Sequence, residues 1–486
     1  MNTRMSDSLL ELRQHWHLQI ERGLPGFDWL GEKVQGDWLV EQVEKERQCL
    51  SRLLQQVNPT TPVVIGISLP DGTENLVLGL ALSLEGMAQA ILPVSASATE
   101  QTMLGERYGL THCIGTVASI CLKGWQPIGM SAQGLQCWQK LAPIPISNRE
   151  LAGLDAKNHQ PIMFIGTTSG TTSGHPGLFY RDGQNLLNIL IHHWSPFGLI
   201  NKPLLTPSLQ NWSGRIQKLI RLLKGQSFVA RHSEVPLAEN PIPDDCDGAI
   251  SAPNAFRRQL ARGDLQQCPK GFLIISSSDH FPRELRQRVA CIDGIDLGIT
   301  YATSQTGPLT WLPPEALLEE PDSLGWLLNH VKLQPLVNGE GFERDGLNFR
   351  EAMITTPSRC LNPGDLLAIS NSGQIIFGGR SNDVFLYNSI LISPVEIEEI
   401  IYSHPGIQEC AAFGALSERF GGVPMAAITA KDGWSNQQLT QDLEALCREA
   451  LGTRRPHRFI SMAEIPKGST GKALRRTFRE QYALKQ

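Results

Sequence analysis

None of the 10 cysteines in this 486-residue chain forms a Cys-x-x-Cys pair, and none stands at metal-ligand spacing from a histidine. They read as reduced, mostly buried thiols of a cytoplasmic protein. Neither sign of charge dominates: 43 Lys and Arg stand against 48 Asp and Glu, a net charge of −5. That balance leaves room for a local basic patch but argues against a polyanion-binding surface spread over the whole protein, so nucleic acid is not an expected partner. A long uninterrupted apolar run is also missing. The most apolar stretch, 76–94, is broken by Glu85 and Gln89 and ended by Pro93. It reads as a buried helix over 75–88 feeding a strand over 90–94, so no membrane partner is expected. Residues 1–26 have no apolar core and do not form a signal peptide.

What is present is an ordinary globular balance, with 41% hydrophobic and 19% charged residues. At roughly 150 residues per domain, the length suggests two to four folding units. Strand-length apolar segments at 63–68, 111–114, 161–165, 227–230, 271–275 and 297–301 alternate with helical patterns. Among the helices, 214–223 sets Ile216, Leu219, Ile220 and Leu223 on one face, and 282–289 reads as a further helix. This alternation predicts an α/β fold of layered sheets in a large, multi-subdomain N-terminal domain.

The last hundred or so residues read as a small α+β lobe. Asn371-Ser-Gly373 is a turn between strands at 366–369 and 375–377, and Gly378-Gly379 breaks the chain. Ser393-Pro394-Val395-Glu396 opens a helix with a capping box and proline at its first position. Ser435 caps a second helix that carries Leu439, Leu443, Leu446 and Leu451 on one face and stops at Gly452. Strands at 409–415 and 424–430 lie between. The expected division is 1–379 for the N-terminal domain and 380–486 for the lobe, hinged near 380–383.

The most distinctive local feature is Gly166-Thr-Thr-Ser-Gly170-Thr-Thr-Ser-Gly174-His-Pro-Gly177, placed between the strand ending at Ile165 and a helix over about 184–193. Hydroxyls and open backbone N–H groups in such a loop can surround phosphate oxygens. No Gly-Lys-Ser/Thr follows, so it is not a P-loop, and a polar connector would have the same composition. Near the C-terminus, Pro466-Lys-Gly-Ser-Thr-Gly-Lys472 sets a lysine after a glycine turn. Taken alone, Lys472 reads as a solvated charge and Asp365 as a turn residue; their order along one chain is the stronger signal.

That order resembles the adenylate-forming superfamily of acyl- and aryl-CoA synthetases, nonribosomal adenylation domains and luciferases, over about residues 28–478. Ser169-Gly170-Thr171-Thr172-(Ser173)-Gly174-His175-Pro176-Gly177 is similar to the family's phosphate loop. Ser276-Ser-Ser-Asp-His280 is similar to its adenine-side segment, and Tyr301-Ala-Thr-Ser-Gln305 to Tyr-Gly-x-Thr-Glu. The resemblance implies phosphate contacts from Thr168, Ser169, Gly170, Thr171 and Thr172, and adenine contacts from Ser276 and Tyr301. It places Ser304 at the α-phosphate, Asp365 at the ribose hydroxyls and Arg380 at the nucleotide. Gln305 falls at the magnesium position, Asn382 at the hinge, and Lys472 at the mobile lysine that meets the carboxylate and the α-phosphate.

The implied activity is ATP- and Mg²⁺-dependent conversion of a carboxylic acid to an acyl-adenylate, then transfer to a thiol. CoA and the phosphopantetheine of a separate carrier protein present the same arm, and both stay open as acceptor. On the acid side the resemblance points to His193, Asn211 and Trp212; Trp194 and Trp212 read equally well as core aromatics. No aspartate occupies 207–214, which favours an acid lacking an α-amino group. Two positions depart from the family: Gly177 stands where a loop lysine belongs, and Gln305 replaces a carboxylate. Ser389 replaces a glycine common in the thiol-tunnel loop. The other reading is a degenerate, non-catalytic homologue that binds nucleotide or a partner.

Overall fold

The computed structural model describes residues 6–54, 63–115, 124–141, 162–167, 178–192, 202–231, 235–320, 322–336, 341–417, 419–467 and 473–484. They form two compact units that divide between Ile250 and Ser251, so position 380 lies inside the second. The α/β class expected from the sequence is observed.

The first unit holds a seven-stranded sheet in the spatial order Trp125–Met130, Gln136–Lys140, His112–Gly115, Val64–Ser68, Ala88–Ile91, Ile162–Thr167, Leu178–Asp182. Its middle strands run parallel. Val64–Ser68 is buried at every position, as its unbroken apolar run requires of a strand covered on both faces. The helix Thr73–Leu84 is likewise buried from Asn75 onward, but it stops four residues short of the expected Ala88. Gly86 at φ +68° lets Met87 N–H reach Leu82 O (3.0 Å) and Gly86 N–H reach Ser83 O (3.2 Å). That paired termination frees Ala88–Ile91 to start its strand early. Neither Trp125–Met130 nor Gln136–Lys140 was foreseen.

A second sheet of this unit sets Gly248–Ser251, Leu204–Thr206, Phe228–Ala230 and Phe27–Trp29 in parallel order, with Glu32–Val34 antiparallel at its edge. The helix Trp212–Leu223 buries the expected Ile216, Leu219, Ile220 and Leu223. It also buries Arg215, Lys218 and Arg221, which an amphipathic pattern would turn to solvent. Polar neighbours explain this. The Arg215 guanidinium donates to Asn75 Oδ1 (2.5 Å) and Gln89 Oε1 (3.2 Å), Lys218 to Pro207 O, and Arg221 to Ser227 O (2.6 Å).

In the second unit, Phe272–Ser276 and Ile295–Ile299 pair in parallel around the helix Arg283–Ala290. Leu347–Thr356 centres an antiparallel sheet that passes through Asp365–Ile369 to Ile375–Arg380. The Asn371-Ser-Gly373 turn forms as expected, but Gly378-Gly379 does not break the chain: the strand runs through both to Arg380. Beyond it, Ile390–Ile392, Phe385–Tyr387, Gly421–Ala430 and Ile407–Ser417 form a sheet packed by the helices Pro394–Tyr402, Asn436–Leu451 and Arg475–Gln481. Ser435 caps Asn436–Leu451 by accepting from Gln438 N–H, and Cys447, not Leu446, completes its fully buried face. The capping box at Ser393 does not form, because the Ser393 hydroxyl donates to Gly378 O instead (2.6 Å).

Nine described cysteines are free thiols, five of them buried. Among the described residues no helix is long and apolar enough to cross a membrane.

The hairpin joining Phe385–Tyr387 to Ile390–Ile392 turns on Asn388 (φ 49°) and Ser389 (φ 64°). Such two-residue turns favour Asn-Gly, since a side chain in left-handed backbone costs about 1 kcal/mol. Ser389→Gly is therefore expected to slow amide exchange across 385–392 by about fivefold, matching about 1 kcal/mol. Unchanged or faster exchange would contradict the strain assigned to Ser389.

Candidate functional site

Four of the nucleotide candidates lie in the second unit, at the ends of its strands. Ser276 closes Phe272–Ser276; it is 1% exposed, and its buried Oγ has no hydrogen-bond partner among the described residues. A hydroxyl left so is costly unless something polar reaches it. The neighbouring strand end is tied to it, since Thr300 N–H donates to Ser276 O (3.0 Å). Tyr301 follows directly.

The Tyr301 hydroxyl donates to Asp365 Oδ2 at 2.5 Å, and Arg380 Nε lies 3.4 Å from Asp365 Oδ1. The Asp365 carboxylate is 5% exposed, while the Arg380 side chain is 35% exposed. Burial, and then the negative charge of Asp365, push the Tyr301 phenol well above its ordinary range, so it stays a donor.

Local backbone geometry makes the third member meet the second. Along Asp365–Ile369, the pairs Ile369–Ile375, Ala368–Ile376 and Leu367–Phe377 keep simple register. Continued unchanged, that register would bring Gly379 opposite Asp365. A bulge at Gly378 adds one residue to the second strand, so Leu366 faces Gly379 and Asp365 faces Arg380. Gly379 holds φ +117°, open only to glycine at ordinary cost. The paired glycines that read as a chain break are the register device of the site.

Ser304 and Gln305 sit in a tight turn after Ala302–Thr303. Thr303 Oγ1 accepts from Gln305 N–H (3.2 Å) and Thr306 N–H (3.1 Å), leaving Ser304 exposed and Gln305 half-buried. No group of three or more His, Cys, Asp or Glu suited to a metal ion occurs among the described residues. Asn382 lends its main-chain oxygen to Arg479 Nη1 (3.2 Å).

Thr168, Ser169, Gly170, Thr171, Thr172, His193 and Lys472 lie outside the described residues. Their flanks are informative. Ile162–Thr167 and Leu178–Asp182 pair antiparallel, with Thr167 opposite Leu178, so the glycine-rich stretch joins two strands and not, as expected, a strand and a helix. The helix Gly183–His192 comes only afterwards. Around 468–472, Lys467 pairs with Ala473, and Leu474 N–H donates to Pro466 O (3.0 Å).

Asn211 and Trp212 belong to the first unit, and both have local structural jobs. Asn211 caps the helix Trp212–Leu223 by accepting from Gly214 N–H (2.7 Å). Trp212 meets Phe164 and Phe179 edge-on, at 5.3 Å and 6.1 Å between ring centroids. A Cβ at Gly166 would collide with its Nε1, so Trp212 packs at the root of the glycine-rich stretch.

Sequence reasoning missed the side-chain contacts made by the carboxylates of the helix Pro394–Tyr402. Glu399 binds His280, and Glu398 binds Arg475 at 2.7 Å. Their partners lie 119 and 77 residues away, beyond the reach of any local pattern.

Residues 396–472 match the family described as AMP-binding enzyme C-terminal domain. An uncharacterized acyl–CoA ligase of Bacillus subtilis strain 168 is 26% identical over 215 residues, which is 42% of this chain and 44% of that protein. The matched stretch thus spans less than half of that relative's length. Among solved structures, O-succinylbenzoate coenzyme A synthetase of B. subtilis, in complex with ATP and magnesium ion, superposes with a TM-score of 0.76 at 18% identity, covering 98% of this chain and 99% of that one. Amide bond synthetase McbA of Marinactinospora thermotolerans superposes with a TM-score of 0.74 at 17% identity, covering 97% and 100%. At such identities the likeness is one of fold. The chain thus resembles the adenylate-forming superfamily in fold, and its residues 396–472 resemble an AMP-binding enzyme C-terminal domain.

Proposed function

We propose that this protein uses ATP to activate a carboxylic acid as an acyl-adenylate, releasing pyrophosphate, and then passes the acyl group to a thiol. The observation that carries the reading is the Tyr301–Asp365–Arg380 cluster, with the Ser276 hydroxyl, unpartnered among the described residues, on the strand end tied to Thr300. A buried carboxylate that meets a phenol and a guanidinium at a strand end suits the hydroxyls of a ribose. The strand-end hydroxyl and the phenol ring suit an adenine. The domain match reaching Lys472, and the acyl–CoA ligase among the relatives, support the same conclusion.

In the first step a carboxylate oxygen attacks the α-phosphorus, the bond to the β-phosphate breaks, and pyrophosphate leaves. Two anions meet as charge builds on the α-phosphate oxygens, so positioning and positive charge dominate the catalysis. Thr168, Ser169, Gly170, Thr171 and Thr172 offer hydroxyls and N–H groups to the phosphates, Ser304 the α-phosphate contact, and Lys472 the mobile cation. In the second step a thiolate attacks the acyl carbon and AMP departs. We assign 1–379 to nucleotide and acid binding and 380–486 to a lobe that swings about Asn382, in the manner of hinged enzyme domains.

Magnesium fits this donor set in one limited way. Gln305 offers a neutral amide oxygen, which can complete a shell supplied mainly by water and phosphate. When bound, the ion neutralises phosphate charge. His193, Asn211 and Trp212 are assigned to the acid side, and the missing aspartate in 207–214 supports an acid without an α-amino group. The acceptor is CoA or a separate carrier protein, both consistent with a cytoplasmic setting. Gly177 and Gln305 favour a second reading, a homologue that binds nucleotide without turnover.

Lys472→Ala is expected to lower acyl-AMP formation by about a hundredfold or more while ATP still binds. A rate near wild type would remove Lys472 from the reaction. Gln305→Glu, by restoring an anionic oxygen, should shift the magnesium titration of the first step to lower concentration, by about threefold or more. Superimposable titrations would show that position 305 does not meet the ion.

A further inference from the structure

The lobe after position 383 has its own apolar cluster, running from Phe385 to Phe478 with no member before Phe385. Among the described residues, Val384 and Leu391 of the lobe join the apolar cluster of the preceding sheet. Several polar attachments to 251–380, among the described residues, come from the helix Pro394–Tyr402 and its N-cap Ser393. Ser393 Oγ donates to Gly378 O at 2.6 Å, and the Arg257 guanidinium lies 4.1 Å above the Tyr402 ring.

Two adjacent carboxylates on this helix face different ways, because successive residues turn by about 100°. Glu399 binds His280 Nε2 and accepts from Arg283 N–H (3.1 Å). The His280 ring stacks on Phe377 at 6.0 Å, and the His280 and Glu399 side chains are 13% and 14% exposed. Arg283 in turn pairs with Asp322, so the histidine side of the contact is braced. Glu398 accepts from Arg475 at 2.7 and 3.0 Å and from Ala412 N–H at 2.8 Å. Arg475 also lies 3.6 Å from Asp383.

The helix therefore ties the Ser276–His280 segment, through Glu399, to the base of the Lys472 segment, through Glu398. The two ties differ in kind. Glu398 and Arg475 both lie in the lobe, although His280 and Asp279 also act on them from before position 380. Glu399 and His280 sit on opposite sides of position 380, so a swing of the lobe about the proposed hinge at Asn382 would part them. Breaking it by removing one partner leaves the other desolvated, which makes the docked orientation sensitive to this pair.

We propose that His280 and Glu399 are a positioning pair that holds the lobe bearing Lys472 in one of its working orientations, and so sets the balance between the two half-reactions. This rests on the function proposed above. Neither residue is assigned a contact with nucleotide or acid.

The test compares Glu399→Ala, Glu399→Gln and His280→Ala with wild type in three measurements. The first two are acid-dependent ATP–pyrophosphate exchange and thioester formation from CoA. Glu399→Ala and His280→Ala should change the ratio of the two rates by fivefold or more, and Glu399→Gln by less, since it keeps an acceptor for His280. A ratio that stays constant, whether or not both rates fall, overturns the pair's role. The third is amide exchange across 394–402, expected to quicken at least fivefold in the alanine variants while 436–451 is unchanged, which separates undocking from unfolding. If wild type shows no exchange with any acid, the proposed activity fails by itself. Amide exchange then decides the pair, and protection across 394–402 equal to wild type overturns it.

Discussion

A single buried carboxylate organises the candidate site. Asp365 can only accept hydrogen bonds, and a desolvated negative charge is stable only where donors and cations surround it. Tyr301 supplies a phenol held in its protonated form, and Arg380 a partly exposed guanidinium. Each comes from a different strand end, so the carboxylate fixes where three segments meet. Its geometry depends on one residue of backbone. Without the bulge at Gly378, Arg380 would slip past Asp365 and the cluster would lose its cation.

The same economy recurs around it. The Thr303 hydroxyl holds two successive N–H groups and so presents Ser304 and Gln305 at the tip of a turn. Thr300 N–H ties the end of one strand to Ser276 on the next. In the first unit, Trp212 packs against the strands that carry the glycine-rich stretch, which leaves room for only glycine at position 166. Small polar groups set positions, and the apolar sheets behind them supply stiffness.

Much of this was legible in the chain. Strands such as Val64–Ser68 announce themselves as unbroken apolar runs, and Asn371-Ser-Gly373 as a turn. Asp365 and Arg380 stood out through motif order, although nothing in the sequence shows that a bulge pairs them. The misreadings have physical causes. Gly86 terminates a helix whose apolar pattern continues past it, and Ser393 spends its hydroxyl on Gly378 O instead of on a cap. Arg215, Lys218 and Arg221 are buried because Asn75, Gln89 and chain carbonyls receive them, a long-range match no periodicity reveals. The His280–Glu399 contact was invisible for the same reason.

The most direct test of the central claim is acid-dependent ATP–pyrophosphate exchange by the full chain, across a panel of fatty, aryl and amino acids. The account predicts exchange with at least one acid that lacks an α-amino group. Folded protein that binds ATP yet exchanges with no acid would contradict it.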